Sequence, residues 1–200
     1  MKNAGRHFRS ALGFSIVDML ATLAVISTVA AIAAPSAVDM VDSMRLGMSE
    51  RDVERELQFA RLKAVSTSRP MRVRFDCPST GKLRVVELLG TPANPDANDA
   101  DTYLNRCSES LYPYSPTGAD QSRLTRPNND GAIRLLQPQT TFSAKKTLEF
   151  WADGSVHADL NGGANPWPNI GTTGVTITLT RKGKTKNIKV NGLGKILMDR

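Results

Sequence analysis

The side chains that could carry covalent, acid–base or metal chemistry in this sequence are few and scattered. There are two histidines, His7 and His157, and two cysteines, Cys77 and Cys107. No C-x-x-C pair and no H-E-x-x-H helix brings them to metal-ligand spacing. A Gly-rich phosphate loop and a G-x-S-x-G nucleophile elbow are also missing. Asp96, Asp99 and Asp101 lie close together in sequence, but they lack the D-x-D-x-D-G frame and distal glutamate of a calcium loop, and read as a solvated segment. His157 falls in a strand-forming run and reads as a structural histidine satisfied by its neighbours, and Trp151 and Trp167 read as packing residues. These residues point to no enzymatic centre, no cofactor and no metal. The expectation is a structural or binding protein.

Charge is the one chemistry present in quantity. Lys and Arg number 26 against 19 Asp and Glu, for a net +7 over 200 residues. The excess gathers near the C-terminus, where Arg181, Lys182, Lys184, Lys186, Lys189, Lys195 and Arg200 face Asp199 alone. On a hairpin, Lys182, Lys184, Lys186, Lys189 and Lys195 could line one face and meet the phosphates of DNA. Lysines on edge strands also discourage sheet-to-sheet association, a sufficient reason for them without any ligand.

The elements that would position these groups begin with an unusual N-terminus. Residues 1–10 carry Lys2, Arg6 and Arg9 and no acid, and residues 11–38 hold a single charged side chain, Asp18. About 20 apolar residues suffice to cross a bilayer, and the basic flank places the first residues on the cytoplasmic side. One reading is a cleaved secretory signal, with Ala31-Ile32-Ala33 as a small-x-small cutting site. The other is a retained anchor. A carboxylate inside an apolar run costs about 2.5–3.5 kcal/mol on insertion scales, so Asp18 implies a partner. Pro35 would kink or locally melt a helix. Export of the rest of the chain makes Cys77 and Cys107 a candidate disulfide, and two free buried thiols are the other reading.

Gly13-Phe14-Ser15-Ile16-Val17-Asp18-Met19-Leu20, leading into an Ala/Val/Ile-rich stretch, resembles the class III signal of type IV prepilins and type II secretion pseudopilins. The resemblance implies a prepilin peptidase that cuts between Gly13 and Phe14 and N-methylates Phe14. Asp18 then lies four residues beyond the new terminus and Pro35 twenty-one beyond it, where such proteins usually carry a glutamate and a proline. Asp18 keeps the charge and shortens the reach by one methylene. The implied domains are a leader at 1–13, a membrane and fibre-core helix at 14–38, an amphipathic continuation at 39–68, and a periplasmic β-rich domain at 69–200.

Downstream, Leu46, Val53, Leu57, Ala60 and Ala64 form one apolar stripe at helical spacing, ending near 66–68 before Arg69-Pro70. Strands are expected at 71–75 and 83–89 around Pro78-Ser79-Thr80-Gly81, then at 132–136, and at 148–151 and 155–158 across Asp153-Gly154. Three more are expected at 175–180, 186–190 and 194–198, with turns at Lys182-Gly183 and Asn191-Gly192. Residues 90–130 and 161–173 read as loops. The fold class expected is α+β: a long N-terminal transmembrane and amphipathic helix packed on an antiparallel sheet, closed by a C-terminal meander. Glu56-Leu57-Gln58-Phe59-Ala60-Arg61-Leu62-Lys63-Ala64 and Phe150-Trp151-Ala152-Asp153-Gly154 are similar to the helix and hairpin signatures of the GspH/FimT family. That resemblance implies a minor fibre subunit of the inner membrane. Its partners would be other pilin or pseudopilin subunits, the prepilin peptidase and an exported protein substrate. Some FimT-like pilins bind DNA through Gly-Arg-x-Arg, and Gly194-Lys195-Ile196-Leu197 here keeps only the first basic position.

Overall fold

The structure, a computed structural model, describes residues 15–88, 107, 130–160 and 166–198. Its first element, α1 (Ile16–Thr67), is a 52-residue helix. The chain divides into two compact units, Met1–Val41 and Asp42–Arg200, and α1 contributes to both.

In the first unit α1 starts behind Ser15, whose Oγ accepts a hydrogen bond from the Val17 N–H at 3.3 Å. This satisfies one of the donors that a helix start leaves open. The helix continues through Pro35, so the expected local melting does not occur. A proline removes only one N–H donor from the ladder, and the Ala, Ile and Val residues around it keep the helical conformation on both sides.

In the second unit the expected stripe is the buried one. Leu46, Val53, Leu57, Ala60 and Ala64 are each at most 2% exposed. The helix ends at Thr67, and Ser68 follows with a φ of 55°, a left-handed stop of the kind that commonly closes helices. Two antiparallel sheets, where a single one was expected, meet this stripe. The first has the order β3-β2-β1-β5-β6, built from β1 (Met71–Phe75), β2 (Lys82–Glu87), β3 (Arg134–Leu135), β5 (Leu148–Phe150) and β6 (Val156–Ala158). The second has the order β4-β7-β8-β9, from β4 (Thr141–Ala144), β7 (Val175–Arg181), β8 (Lys184–Val190) and β9 (Ile196–Met198). Both sheets share one core with the helix, in which Val73, Val85, Phe150, Ile177, Leu179 and Ile188 are fully buried.

Two turns set the registers. Lys182 and Gly183 both adopt positive φ, 46° and 81°, and close β7 on β8 with Arg181 opposite Lys184, the two-residue turn that matches strand twist. Asn191-Gly192 does not make the expected second tight turn. Val190 pairs with Ile196, and the five residues between them are held by Asn191 Oδ1, which accepts from the N–H groups of Leu193 (3.1 Å) and Lys195 (2.9 Å). Gly192 instead permits close backbone approach. A Cβ there would lie 2.1 Å from Asn169 Oδ1 and 2.7 Å from the Gly171 nitrogen.

Candidate functional site

Among the described residues, none covers the apolar helix of the first unit. Every residue from 15 to 41 is exposed, including Ile16, Leu20, Val25, Val29 and Ile32. The most apolar 18-residue window of α1 has a mean hydropathy of 2.2, enough by length and composition to cross a membrane, and none of it is buried. Asp18 lies in the first turn, where a negative charge complements the positive end of the helix dipole. Gly13 and Phe14 fall outside the described residues.

The second unit opens on a cluster of charges. Asp42, its first residue, is 5% exposed. Its Oδ1 accepts from Arg181 Nε and Nη2 at 3.0 and 2.8 Å, and Lys182 Nζ lies 2.9 Å from Oδ2. Hydrogen bonds from Lys182 and then Arg181 hold the Asp42 carboxyl below the usual carboxylate range, against the opposing effect of burial. Two turns further along the helix, Lys186 Nζ lies 3.6 Å from Glu50 Oε2. The β7–β8 hairpin therefore runs along the helix with its turn at the Asp42 end. The alternating burial of β7 and β8 places Arg181 inward and aims Lys184 and Lys186 to the side that also carries Ile188 and Val190.

Two solved structures resemble the chain. Both are crystal structures of the type IV minor pilin FimU of Pseudomonas aeruginosa strain PAO1. One has a TM-score of 0.46 and 15% identity over 80% of this chain and 92% of that one. The other has a TM-score of 0.43 and 16% identity over 78% and 93%. No family model matches the chain, and no curated protein matches it.

The lysines grouped in the sequence do not share a face. Lys182 and Lys186 engage helix carboxylates. Lys189 is exposed on the opposite side of β8, and Lys195 is exposed in the turn before β9. The i, i+2 alternation of a strand separates Lys186 from Lys189, which are three apart. Cys77 and Cys107 are joined as a disulfide.

Two polar arrangements involve Trp167, and the first had no clear sequence signal. Met71-Arg72-Val73-Arg74-Phe75 alternates as a half-solvated strand would, yet all five residues are buried. Arg72 forms an ion pair with Glu149 on the adjacent β5, its Nε 2.9 Å from Glu149 Oε1. Its guanidinium also lies 4.5 Å from the centroid of the Trp167 ring. His157 is likewise well occupied. Its Nδ1 lies 2.7 Å from the Trp167 carbonyl and its Nε2 3.0 Å from the Ser155 hydroxyl, and its ring stacks on Trp151 at 4.7 Å. The Ser155 hydroxyl and backbone N–H hold Asp153 below the ordinary carboxylate range. Both arrangements pin the Trp167 segment to the first sheet. Trp151 and Trp167 thus stack on a ring and a cation, beyond filling space.

Proposed function

We propose that this chain is a minor pilin-like subunit, a pseudopilin of the GspH/FimT type, serving a type II secretion apparatus or a type IV pilus. The observation that carries this reading is the helical segment from Ile16 to Val38, wholly exposed and apolar but for one carboxylate, Asp18, near its start. An uncovered apolar helix of this length requires either lipid or other apolar helices around it. A fibre subunit uses both in turn.

In this reading a prepilin peptidase cuts between Gly13 and Phe14 and methylates the Phe14 amine. The helix then waits in the inner membrane with the β-rich unit in the periplasm. During assembly the Asp18 carboxylate of one subunit neutralises the terminal amine of a neighbour. Each charge alone is costly in an apolar medium, and pairing removes much of that penalty. The pair selects register as helices pack, and the second unit is displayed toward sister subunits and an exported substrate. The function is structural, without catalysis.

The test is Asp18→Ala. Removing the carboxylate eases insertion by about 2.5–3.5 kcal/mol, so the variant stays in the membrane fraction. It is lost from the sheared fibre fraction, and Asp18→Glu restores it. Undiminished fibre incorporation of Asp18→Ala would overturn the role given to this residue.

A further inference from the structure

Among the described residues the two sheets of the second unit present four edges, and three of them carry devices that keep a strand from recruiting another. β3 is two residues long, and its Arg134 is paired with Glu56. β4 carries a register shift between Phe142 and Ala144. The outer edge of β6 is already bonded: the Ala158 N–H donates to the Pro168 carbonyl at 3.2 Å, and the Ile170 N–H to the Val156 carbonyl at 3.1 Å. β9 is the exception. Its side chains are Ile196, Leu197 and Met198, without charge, proline or bulge, and Leu197 and Met198 are 47% and 38% exposed.

The register fixes which backbone groups this edge offers. The Asn191 N–H donates to the Lys195 carbonyl at 3.1 Å, in line with the pairs Val190–Ile196, Lys189–Leu197 and Ile188–Met198. Bonded and non-bonded pairs alternate along an antiparallel ladder, so Leu197 bonds β8 while the N–H and C=O groups of Ile196 and Met198 point away from it. Among the described residues no other backbone group bonds them. The two faces beside this edge differ. Ile196 packs on the core and shares its face with Met198 and the buried Ile188 and Val190. The opposite face carries Leu197, with Lys195 two residues before it and Lys189 across from it on β8. Both lysines are exposed and neither has an ion-pair partner among the described residues. The outward positions of β7 and β8 around them are Thr176, Thr178, Thr180, Thr185 and Asn187, with no acid.

We propose that the outer edge of β9 accepts an extended segment of a partner protein in which apolar and acidic residues alternate. The added strand bonds the outward N–H and C=O groups of Ile196 and Met198 and lays its apolar side chains beside theirs. Its carboxylates fall on the other face, beside Lys195 and Lys189. In strand addition of this kind the main-chain bonds supply affinity and the alternate side chains supply selectivity. Charge decides the occupant: a second copy of this edge would bring the same lysines onto the same face, whereas an acidic strand neutralises them. The inference rests on the second unit alone and does not depend on whether the apolar helix is retained.

The test uses the full chain in detergent and short labelled peptides that alternate valine with glutamate or valine with lysine. A further peptide repeats the glutamate sequence with every amide N-methylated, which keeps its charge and removes its main-chain donors. Fluorescence anisotropy should show saturable binding of the glutamate peptide, about ten-fold tighter than the lysine peptide, the scale of two cross-strand charge pairs changing sign. High salt should narrow that gap. Amide exchange should slow at Ile196 and Met198 when the glutamate peptide binds, and stay unchanged at Leu197. Met198→Pro removes an outward donor and leaves the β8 ladder intact, so it should weaken binding about five-fold, the scale of one hydrogen bond. No saturable binding of the glutamate peptide overturns the proposal. Equal affinity for the two charged peptides overturns the acidic partner. Binding of the N-methylated peptide as tight as its parent reduces the contact to ion attraction and overturns strand addition. Slow exchange at Ile196 and Met198 that grows with protein concentration, without peptide, assigns the edge to a second copy and overturns it as well.

Discussion

Glu149→Gln is the substitution that probes the first sheet most sharply. Arg72 and Glu149 have side-chain exposures of 4% and 0%, and they sit on neighbouring strands as a registered pair. Glutamine fills the same volume and removes only the charge, leaving the Arg72 guanidinium buried without its carboxylate. Breaking a buried pair from one side destabilises by about 3–5 kcal/mol. The face of Trp167, 4.5 Å away, offsets part of this, since a desolvated cation–π contact contributes about 2 kcal/mol. The net expectation is a loss of about 1–3 kcal/mol, a large share of the roughly 5–15 kcal/mol that holds a domain folded. The assay is urea unfolding of the full chain in detergent, followed by tryptophan fluorescence, with Arg72→Met and the double variant completing a cycle. The double variant should be nearer wild type than Glu149→Gln, because it leaves no orphaned charge. A loss below about 1 kcal/mol for Glu149→Gln, well under the cost of a broken buried pair, or a double variant worse than both singles, would refute this account of the pair.

Two further outcomes follow from the geometry. Gly192→Ala should destabilise the second unit, because the new Cβ would meet Asn169 Oδ1 at 2.1 Å and Gly171 backbone at 2.7 and 2.9 Å. Gly183→Ala, whose Cβ would meet nothing within 4 Å, should cost only the strain of its positive φ, and thermal melts of the two variants should rank in that order. Asp42 has a folded-state pKa below its unfolded value, so its contribution is fully present above the unfolded value near 3.9 and is lost as pH falls through the lower, folded one. Thermal midpoints of wild type and Asp42→Asn should therefore converge as the buffer is taken below about pH 4, and a gap that persists into strong acid would contradict the assignment.

Much of this architecture was legible because its signals are local. The stripe from Leu46 to Ala64 is a helical repeat, and Lys182-Gly183 is a turn whose backbone needs are met by its own two residues. The failures involve contacts made across the fold. Thr141–Ala144 carries one buried residue, Phe142, and a register shift beside it, so no alternation marked it as the edge strand of a second sheet. Asn191-Gly192 read as a tight turn, but Gly192 is required by the approach of Gly171 from a distant loop. The buried arginines of β1 were hidden for the same reason: alternation tells which residues share a face, and only tertiary structure tells whether that face is covered. Among the lysines, spacing alone suggested one surface, whereas Asp42 and Glu50 on the helix divide them.

The claim on which the functional account depends is that the apolar helix stays with the mature chain. Mass spectrometry of the protein recovered from its native membranes reads this directly. The account predicts a first residue of N-methylated Phe14, with the helix from Ile16 onward intact. A soluble chain beginning at Ala34, after a cut at Ala31-Ile32-Ala33, would contradict it.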